Sequence, residues 1–357
     1  MSYATINATS ASCGSVPYFP IPVAESLSPE VRSVFIFRIA VNAISCPFVI
    51  LLNIMVVVAV KTKGQLRSKS DLTLACLSTT DLVVGLVVQP LEIVHYRFIL
   101  KGHDAMICST LVKVRTAVTT RCVMTSFNHL LLLSAERYLA IKHPFAYENL
   151  VTETRIIVAS GLSWAAAILF PMEEFWPPKK QYVAKSAVLV IQFMSISLLV
   201  YLNVSVYREV RRNENKIIAN EVSLEVKEKL LKNKKAFYCT VIVLLAIFLC
   251  YFPANIIILI LISFMKDSIP INVTHVMYNL VTLLPVLNSL LNPLIYAVRI
   301  RYFRVAFIQL LSRKTIAEAE QLEMNIFGPK QVRVLTTAEQ RENRVSREGK
   351  VEQGNEA

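Results

Sequence analysis

Lysine and arginine are absent from residues 1–30, and charged residues are scarce in the chain as a whole, at 18% of 357 positions. Hydrophobic residues make up 54% of the sequence, and the mean hydropathy is +0.51. A soluble domain of this size carries more charge and fewer unbroken apolar stretches. The shortage of charge therefore argues against a water-soluble protein and makes the long apolar runs the basis of the fold.

Seven apolar runs are long enough to cross a membrane as helices. An α-helix needs about 20 predominantly apolar residues to cross a hydrocarbon core of about 30 Å. The predicted spans are residues 32–60, 71–96, 108–141, 153–171, 184–210, 236–264 and 274–297. No internal repeat is evident in the sequence, so a repeat-built transporter gains no support. We predict an all-α membrane protein, a bundle of seven transmembrane helices.

The distribution of positive charge predicts the orientation of the chain. The net charge of +13 could indicate a nucleic-acid partner, but basic residues are concentrated in the connections after the first, third and fifth spans. By the positive-inside rule these connections face the cytoplasm. We therefore expect a multi-pass plasma-membrane protein with an extracellular amino terminus, the lipid bilayer as a partner and no nucleic acid. Asn7 and Asn272 begin glycosylation sequons on segments predicted to lie outside.

Four regions follow from this reading. Residues 1–31 form an extracellular segment, 32–297 the bundle, 298–311 an amphipathic helix, and 312–357 a cytoplasmic tail that is largely disordered. Phe303, Phe307 and Leu310 fall on one helical face with arginines beside it. This pattern favours a helix in the inner membrane interface, next to anionic lipid. An ordinary amphipathic tail helix is the alternative.

Short motifs occur in order along the spans. They are Asn53 in the first span, Leu77-Ser78-Thr79-Thr80-Asp81 in the second, Glu136-Arg137-Tyr138 at the end of the third, Trp164 in the fourth, Cys250-Tyr251-Phe252-Pro253 in the sixth and Asn292-Pro293-Leu294-Ile295-Tyr296 at the end of the seventh. Each motif alone is weak, but their joint order and spacing are specific. Over residues 32–311 the chain resembles the rhodopsin-like (class A) G-protein-coupled receptors, which implies a short eighth helix after the bundle.

The resemblance implies a polar network in the middle of the bundle. A carboxylate such as Asp81 near mid-bilayer is costly unless it is paired, hydrated or protonated. The family register brings Ser126, Asn288, Ser289 and Asn292 to Asp81. Two readings stay open, namely a pocket for Na⁺ as a structural or allosteric ion on Asp81, and a network around a protonated Asp81 without an ion. No other cofactor is expected.

The resemblance also implies a G-protein switch at the inner end of the bundle. Its residues would be Glu136, Arg137, Tyr138, Pro144, Phe145 and Tyr296. Glu136 is expected to neutralise Arg137 at rest, leaving a guanidinium that can swing out to a partner. Phe145 is expected to dock into the α-subunit of a heterotrimeric G protein, with packing in the membrane interface as the alternative. The tail offers few phosphorylatable residues, so recruitment of arrestin is expected to be weak.

Three departures from the family pattern stand out. The second outer connection contains no cysteine, so the usual disulfide is excluded, and Cys13 and Cys108 are either bridged to each other or free. The fifth span lacks proline and is joined tightly to the fourth, and Tyr251 replaces the usual tryptophan. The tight join between the fourth and fifth spans and the missing proline together resemble the subgroup of melanocortin, lysophospholipid and cannabinoid receptors.

The candidate ligand site lies in the outer half of the bundle. Thr119 stands where amine receptors carry an aspartate, and Val286 where opsins carry the retinal lysine. Arg115 matches a basic residue of lipid-sensing relatives, and a guanidinium suits carboxylate or phosphate groups. Arg115 either captures an acidic group of the ligand or pairs internally with Glu92. The full candidate set is Arg115, Glu92, His95, Thr119, Thr120, Val123, Tyr251, Asn255, Tyr278 and Thr282.

The function implied is transduction of an extracellular ligand, which could be a lipid, a peptide or a small acidic molecule, into heterotrimeric G-protein activation. A membrane transporter or a non-signalling seven-helix protein is the alternative. We do not expect an enzyme, because the sequence shows neither a nucleophile–base pair nor a cluster of metal ligands.

Overall fold

A computed structural model describes residues 27–62, 69–102, 110–169, 178–219, parts of 241–260 and 270–327. Within these ranges the regular structure is helical, which confirms the predicted all-α class. The helices are α1 (Pro29–Thr62), α2 (Lys69–Leu100), α3 (Thr110–Lys142), α4 (Pro144–Leu150), α5 (Glu153–Leu169), α6 (Pro178–Ala219), α7 (helical residues between 241 and 260), α8 (Ile271–Arg299), α9 (Arg301–Ser312) and α10 (Ile316–Phe327). The chain divides into two compact units, one ending at Ile295 and the other beginning at Tyr296.

Helices occur at all seven predicted spans, but they differ in length and apolarity. Within the described residues, four segments are long and apolar enough to cross a membrane, namely Pro29–Thr62, Lys69–Leu100, Val190–Asn213 and Ile271–Arg299. Helix α3 has the length of a span but carries Lys113, Arg115 and Arg121 in its amino-terminal half. Side chains such as Ile44, Phe48 and Met194 expose 66%, 54% and 69% of their surface. Exposed apolar faces of this kind fit contact with lipid.

The first unit is centred on α2 and α3. Helix α2 packs against α1, α3 and α5, and α3 also packs against α4, α5 and α6. One apolar cluster joins Phe35 of α1 to Tyr96 of α2, and another joins Val88 of α2 to Val286 of α8, with Trp164 packed beside it. The burial of these apolar surfaces holds together the helices that carry the polar sites.

A π-helical turn at Val84–Val88 interrupts α2. In a π-helical turn each N–H bonds to the carbonyl five residues earlier, and here the N–H of Gln89 donates to the carbonyl of Val84. By the same spacing Pro90 would donate to the carbonyl of Gly85, but proline has no N–H. The carbonyl of Gly85 instead accepts a hydrogen bond from the thiol of Cys46 at 3.2 Å. The extra residue rotates the outer part of α2 by about 100°, and Glu92 and His95 both lie buried there.

The second unit contains a helical hairpin that the sequence analysis did not predict. Helix α9 buries Phe303 and Phe307, as its amphipathic pattern predicted, and α10 packs against it within the segment expected to be largely disordered. The N–H of Thr315 donates to Glu318 Oε2 at 2.9 Å, and that bond holds the pKa of the Glu318 carboxyl below its ordinary value. The N–H of Glu318 returns a bond to Thr315 Oγ1, completing a capping box at the start of α10.

The carboxylate of Glu323 holds this hairpin together. It accepts hydrogen bonds from Arg301 Nε at 3.1 Å and from Arg304 Nη2 at 2.8 Å, and it is buried. The position of α9 at a membrane interface stays a prediction. Asn7, Cys13 and Cys108 lie outside the described residues, so the predictions of their glycosylation and pairing also stand as made. Asn272 is exposed in the first turn of α8.

Candidate functional site

Asp81 is almost fully buried, with 1% of its surface exposed. Its carboxylate accepts hydrogen bonds from Ser289 Oγ at 2.7 Å and from Asn292 Nδ2 at 2.9 Å. Pro293 in α8 cannot donate to the carbonyl of Ser289, and Asn53 Nδ2 from α1 donates to that carbonyl at 3.1 Å. The proline and the asparagine of the first span therefore fix the part of α8 that faces Asp81.

The other two predicted members of this network are Ser126 and Asn288, and both are buried. Among the described residues, the amide oxygens of Asn288 and Asn292 have no hydrogen-bond partner. One carboxylate with unpartnered neutral oxygens nearby is a donor set that suits a hard cation. The residues present therefore fit the Na⁺ reading, in which Asp81 supplies the charge and the amides supply neutral ligands.

Near the carboxyl-terminal end of α3, Glu136 accepts hydrogen bonds from two hydroxyl groups. Ser70 Oγ of α2 lies 2.6 Å from each carboxylate oxygen, and the hydroxyl of Tyr147 of α4 donates to Oε1 at 2.8 Å. Burial and the adjacent carboxylate of Glu136 raise the pKa of the Tyr147 hydroxyl, so Tyr147 remains a proton donor. Glu136 itself is 4% exposed.

Arg137 differs from the expectation drawn from the resemblance. In the described part of the chain, no salt bridge joins Glu136 to Arg137, and Arg137 Nε is a buried atom without a hydrogen-bond partner. The hydrogen bonds of Glu136 come instead from Ser70 and Tyr147. The side chain of Tyr138 packs against Val206 and Val210 of α6.

Helix α4 presents Phe145 to its surroundings with 91% of its surface exposed, and Pro144 beside it is also exposed. The same helix is tied back to the bundle by Tyr147 and by an ion pair of Glu148 with Lys69 at 3.1 Å. Tyr296, the last predicted switch residue, belongs to the second unit, where its ring centroid lies 5.7 Å from that of Phe303. The structure therefore gathers Glu136, Phe145 and their neighbours around the end of α3.

The half of the bundle that is predicted to lie outside holds a buried set of three ionised side chains. Glu92 Oε2 lies 2.7 Å from Arg38 Nη2, and Glu92 Oε1 lies 2.5 Å from Arg115 Nη1. The side chains of Arg38, Glu92 and Arg115 are 2%, 3% and 11% exposed. The internal Glu92–Arg115 pair, one of the two readings of the sequence, is therefore present, and Arg38 shares it.

Neutral groups surround the inner side of this ion cluster. Arg38 Nη1 donates to the carbonyl of Asn279 at 2.7 Å and to Thr282 Oγ1 at 2.6 Å. Tyr96 donates to Asn279 Oδ1 at 2.6 Å, and its ring lies 4.9 Å from the guanidinium carbon of Arg38. The sequence analysis missed Arg38, although a charged residue inside an apolar span was itself a signal.

A small apolar cavity of about 20 Å³ lies between α2, α3, α7 and α8. Of the ten predicted ligand residues, Thr119, Val123 and Tyr251 line this cavity. Thr119 lies about one helical turn from Arg115, to whose carbonyl its Oγ1 donates at 2.8 Å, and Arg115 itself does not line the cavity. Its other walls are Val84, Val88, Cys122, Ser126, Pro285, Val286 and Ser289.

The remaining predicted ligand residues differ in their burial and do not line the cavity. His95 is buried with its ring edge against Tyr96, and Asn255 is buried in α7. Thr120 is half-buried and does not line the cavity, and Tyr278 is half-buried in α8. The ten positions therefore fall into an ionic part around Glu92, an apolar part around Tyr251, and residues outside both.

Comparison with known proteins gives a family for this helical chain. A model of the family "7 transmembrane receptor (rhodopsin family)" matches residues 52–176 and 172–296. The chain belongs to the rhodopsin family of seven-transmembrane receptors. The chain is accordingly a membrane protein and a receptor that acts in signal transduction.

Individual relatives resemble this receptor over most of its length. A histamine H2 receptor from Rattus norvegicus is 25% identical over 73% of this chain and 75% of its own. An adenosine receptor A3 from Ovis aries is 25% identical over 72% of this chain and 84% of its own, and an adenosine receptor A2b from Mus musculus is 24% identical over 75% and 87%. These relatives give no support to the predicted melanocortin, lysophospholipid and cannabinoid subgroup.

Proposed function

We propose that this receptor spans the plasma membrane seven times, with its amino terminus outside, and couples an extracellular ligand to nucleotide exchange on a heterotrimeric G protein. The observation that carries the proposal is the inner end of α3, where hydroxyl groups engage Glu136 and leave the adjacent guanidinium of Arg137 without a salt bridge in the described residues. An ionic group at the inner mouth of a helical bundle suits a charged or carbonyl-rich partner segment. The role is that of a receptor and not of an enzyme.

The ligand proposed is a lipid, a peptide or a small acidic molecule. The relatives described above are named for histamine and adenosine, but Thr119 offers a hydroxyl where amine receptors carry a carboxylate. The buried ion cluster of this bundle instead contains two guanidinium groups, those of Arg38 and Arg115. An acidic ligand group is therefore the better match to the charges of the site.

Receptor-catalysed exchange tests this proposal directly. Purified receptor in lipid nanodiscs is mixed with a panel of purified G proteins, and binding of a non-hydrolysable GTP analogue is followed with and without Arg137→Ala. We expect wild-type receptor to accelerate exchange on at least one G protein and Arg137→Ala to reduce that acceleration at least tenfold. Arg97→Ala, at an exposed arginine of α2, is the matched control and should leave exchange unchanged. Equal exchange by both variants and the wild type would contradict the proposal.

Sodium is expected to stabilise the receptor through Asp81. Bound Na⁺ would offset the buried charge and use the unpartnered amide oxygens, so it should raise the thermal unfolding midpoint by a few degrees at concentrations well above its dissociation constant. Asp81→Asn removes the charge and should abolish the sodium-dependent rise. Choline chloride at equal ionic strength is the control. An equal rise with choline, or a persistent sodium effect in Asp81→Asn, would favour a network without an ion.

Phe145→Ala is expected to reduce G-protein exchange about tenfold without changing the receptor's thermal stability. An exposed aromatic side chain contributes little to folding, whereas buried aromatic anchors carry much of the affinity of protein interfaces. The measurement is the G-protein concentration that gives half-maximal exchange. Leu150→Ala, which changes an apolar residue of the same helix with 52% exposure, is the control. Unchanged exchange in Phe145→Ala would leave membrane-interface packing as the role of Phe145.

A further inference from the structure

Charge is divided between the two helices of the hairpin in the second unit. Residues 299–314, which include α9, contain no acidic residue, and residues 315–327, which include α10, contain no basic one. The charged residues of the two stretches are Arg299, Arg301, Arg304, Arg313 and Lys314 in the first, and Glu318, Glu320 and Glu323 in the second. Helix α10 therefore supplies the negative charge that α9 lacks.

A single carboxylate of α10 binds both arginines of α9. Arg304 donates to Glu323 Oε1 through Nε at 2.9 Å and through Nη2 at 2.8 Å, and Arg301 Nε donates to Oε2 at 3.1 Å. The guanidinium carbon of Arg304 also lies 5.0 Å from the centre of the Phe327 ring. The side chain of Arg304 is 17% exposed, whereas that of Arg301 is 58% exposed. Glu323 therefore occupies the anion-binding groups of α9, and an outside anion would reach Arg301 first.

Anionic lipid headgroups offer the same chemistry as Glu323. A guanidinium binds phosphate and carboxylate oxygens with the same fork of N–H groups. The cytoplasmic leaflet carries anionic lipid, which attracts basic segments. Leu310 and Leu311 of α9 are 38% and 69% exposed and would contact the boundary of the acyl chains. The same surface would repel the three carboxylates of α10, so α9 cannot bind an anionic membrane and α10 through the same arginines at once.

We infer that Glu323 competes with anionic lipid headgroups for Arg301 and Arg304. Helix α10 is then packed on α9 beside an uncharged bilayer and is released beside an anionic one. The hinge is the short connection between Ser312 and Ile316, where Arg313 has a φ of 53°, a conformation that residues other than glycine adopt rarely. The inference goes beyond the proposed function and does not depend on a G protein.

Amide hydrogen exchange of residues 316–327 measures the release of α10. A helix of 12 residues is marginally stable in water by itself, so its amides should lose protection when it leaves α9. Full-length receptor is placed in nanodiscs of phosphatidylcholine alone or of an equal mixture with phosphatidylserine. Attraction to an anionic surface strengthens binding about fivefold for each arginine near it, or roughly 25-fold for two, so we expect exchange to be at least about tenfold faster in the anionic nanodiscs.

Two variants remove the competing partners. Glu323→Gln keeps the size of the side chain but not its charge, so residues 316–327 should exchange rapidly in both bilayers, with a difference of less than about twofold. Arg301→Gln combined with Arg304→Gln should likewise abolish the effect of lipid. Glu320→Gln makes the same change of charge at an exposed position of α10 and is the matched control. This control should keep the wild-type response to lipid.

Thr315→Ala separates a weaker helix from a lost competition. It removes the capping box of α10 and leaves Glu323 and both arginines in place. We expect it to speed exchange about fivefold in either bilayer, because an N-cap substitution weakens a helix by that factor, and to leave the ratio between the bilayers unchanged. The thermal unfolding midpoint of each variant is recorded, so that release of α10 is distinguished from unfolding of the receptor.

Three results would overturn the inference. They are equal exchange of the wild type in the two bilayers, slower exchange in the anionic one, and a wild-type response to lipid in Glu323→Gln. The comparison of the two bilayers needs no variant, so it decides the matter even where a substitution prevents folding. Inorganic phosphate, added to phosphatidylcholine nanodiscs at constant ionic strength, should leave exchange unchanged. Release of α10 by inorganic phosphate would assign the competing anion to solution and contradict a lipid partner.

Discussion

Glu92→Ala is expected to lower the free energy of unfolding by about 3–5 kcal/mol, because it leaves two guanidinium groups buried without their shared carboxylate. Arg38 and Arg115 each contact a different oxygen of Glu92, so both would lose a charged partner and would repel each other. The measurement is the thermal unfolding midpoint of purified receptor, together with the fraction of expressed receptor that is folded.

Glu148→Ala provides the matched control for this substitution. Glu148 also pairs with a basic side chain, Lys69, at 3.1 Å, but 74% of its side chain is exposed. A surface ion pair contributes about 0–1 kcal/mol, so its loss should leave the unfolding midpoint almost unchanged. The variant Arg38→Gln with Glu92→Gln buries one unpaired guanidinium instead of two and should be intermediate. Equal stability of Glu92→Ala and Glu148→Ala would show that burial does not govern the cluster.

The Asp81 network could be predicted because its members lie in motifs whose spacing fixes their register. Asp81, Ser289 and Asn292 come together as the sequence indicated. The ion cluster was predicted only in part. Glu92 and Arg115 were candidates, but the pairing of Arg38 with Glu92 depends on the rotation that the π-helical turn introduces into α2. Periodicity alone assumes a regular helix and does not contain that rotation.

The contacts around Glu136 show a different limit. The resemblance suggested that Glu136 neutralises its neighbour Arg137. In the structure, Glu136 instead accepts hydrogen bonds from Ser70 and Tyr147. These donors come from α2 and α4, and nothing local in the motif indicates them. The hairpin of α9 and α10 is the opposite case, since Thr315 and Glu318 form a capping box that could have been read from the sequence. The burial of Glu323 between two arginines could not have been predicted from the sequence.

Ser70→Ala combined with Tyr147→Phe is expected to reduce receptor-catalysed nucleotide exchange by about tenfold to a hundredfold. Hydrogen bonds to a charged group contribute about 1.5–3 kcal/mol each, and both hydroxyl groups donate to the carboxylate of Glu136. Without the two hydroxyl groups, we expect the buried carboxylate to pair with the guanidinium of the adjacent Arg137, which would withdraw Arg137 from the G protein. The loss of Tyr147 also releases the helix that presents Phe145.

A double-mutant cycle separates these two effects. Glu136→Gln removes the charge that would capture Arg137, so in that background Tyr147→Phe should affect exchange only through the position of Phe145. We expect Glu136→Gln to recover most of the exchange lost in the Tyr147→Phe variant, with exchange normalised to the amount of folded receptor. Tyr302→Phe removes a hydroxyl from a different part of the chain and serves as the control. If Tyr147→Phe reduces exchange equally with Glu136 and with Gln at that position, competition between Tyr147 and Arg137 for Glu136 is excluded, and Tyr147 acts by fixing α4 alone.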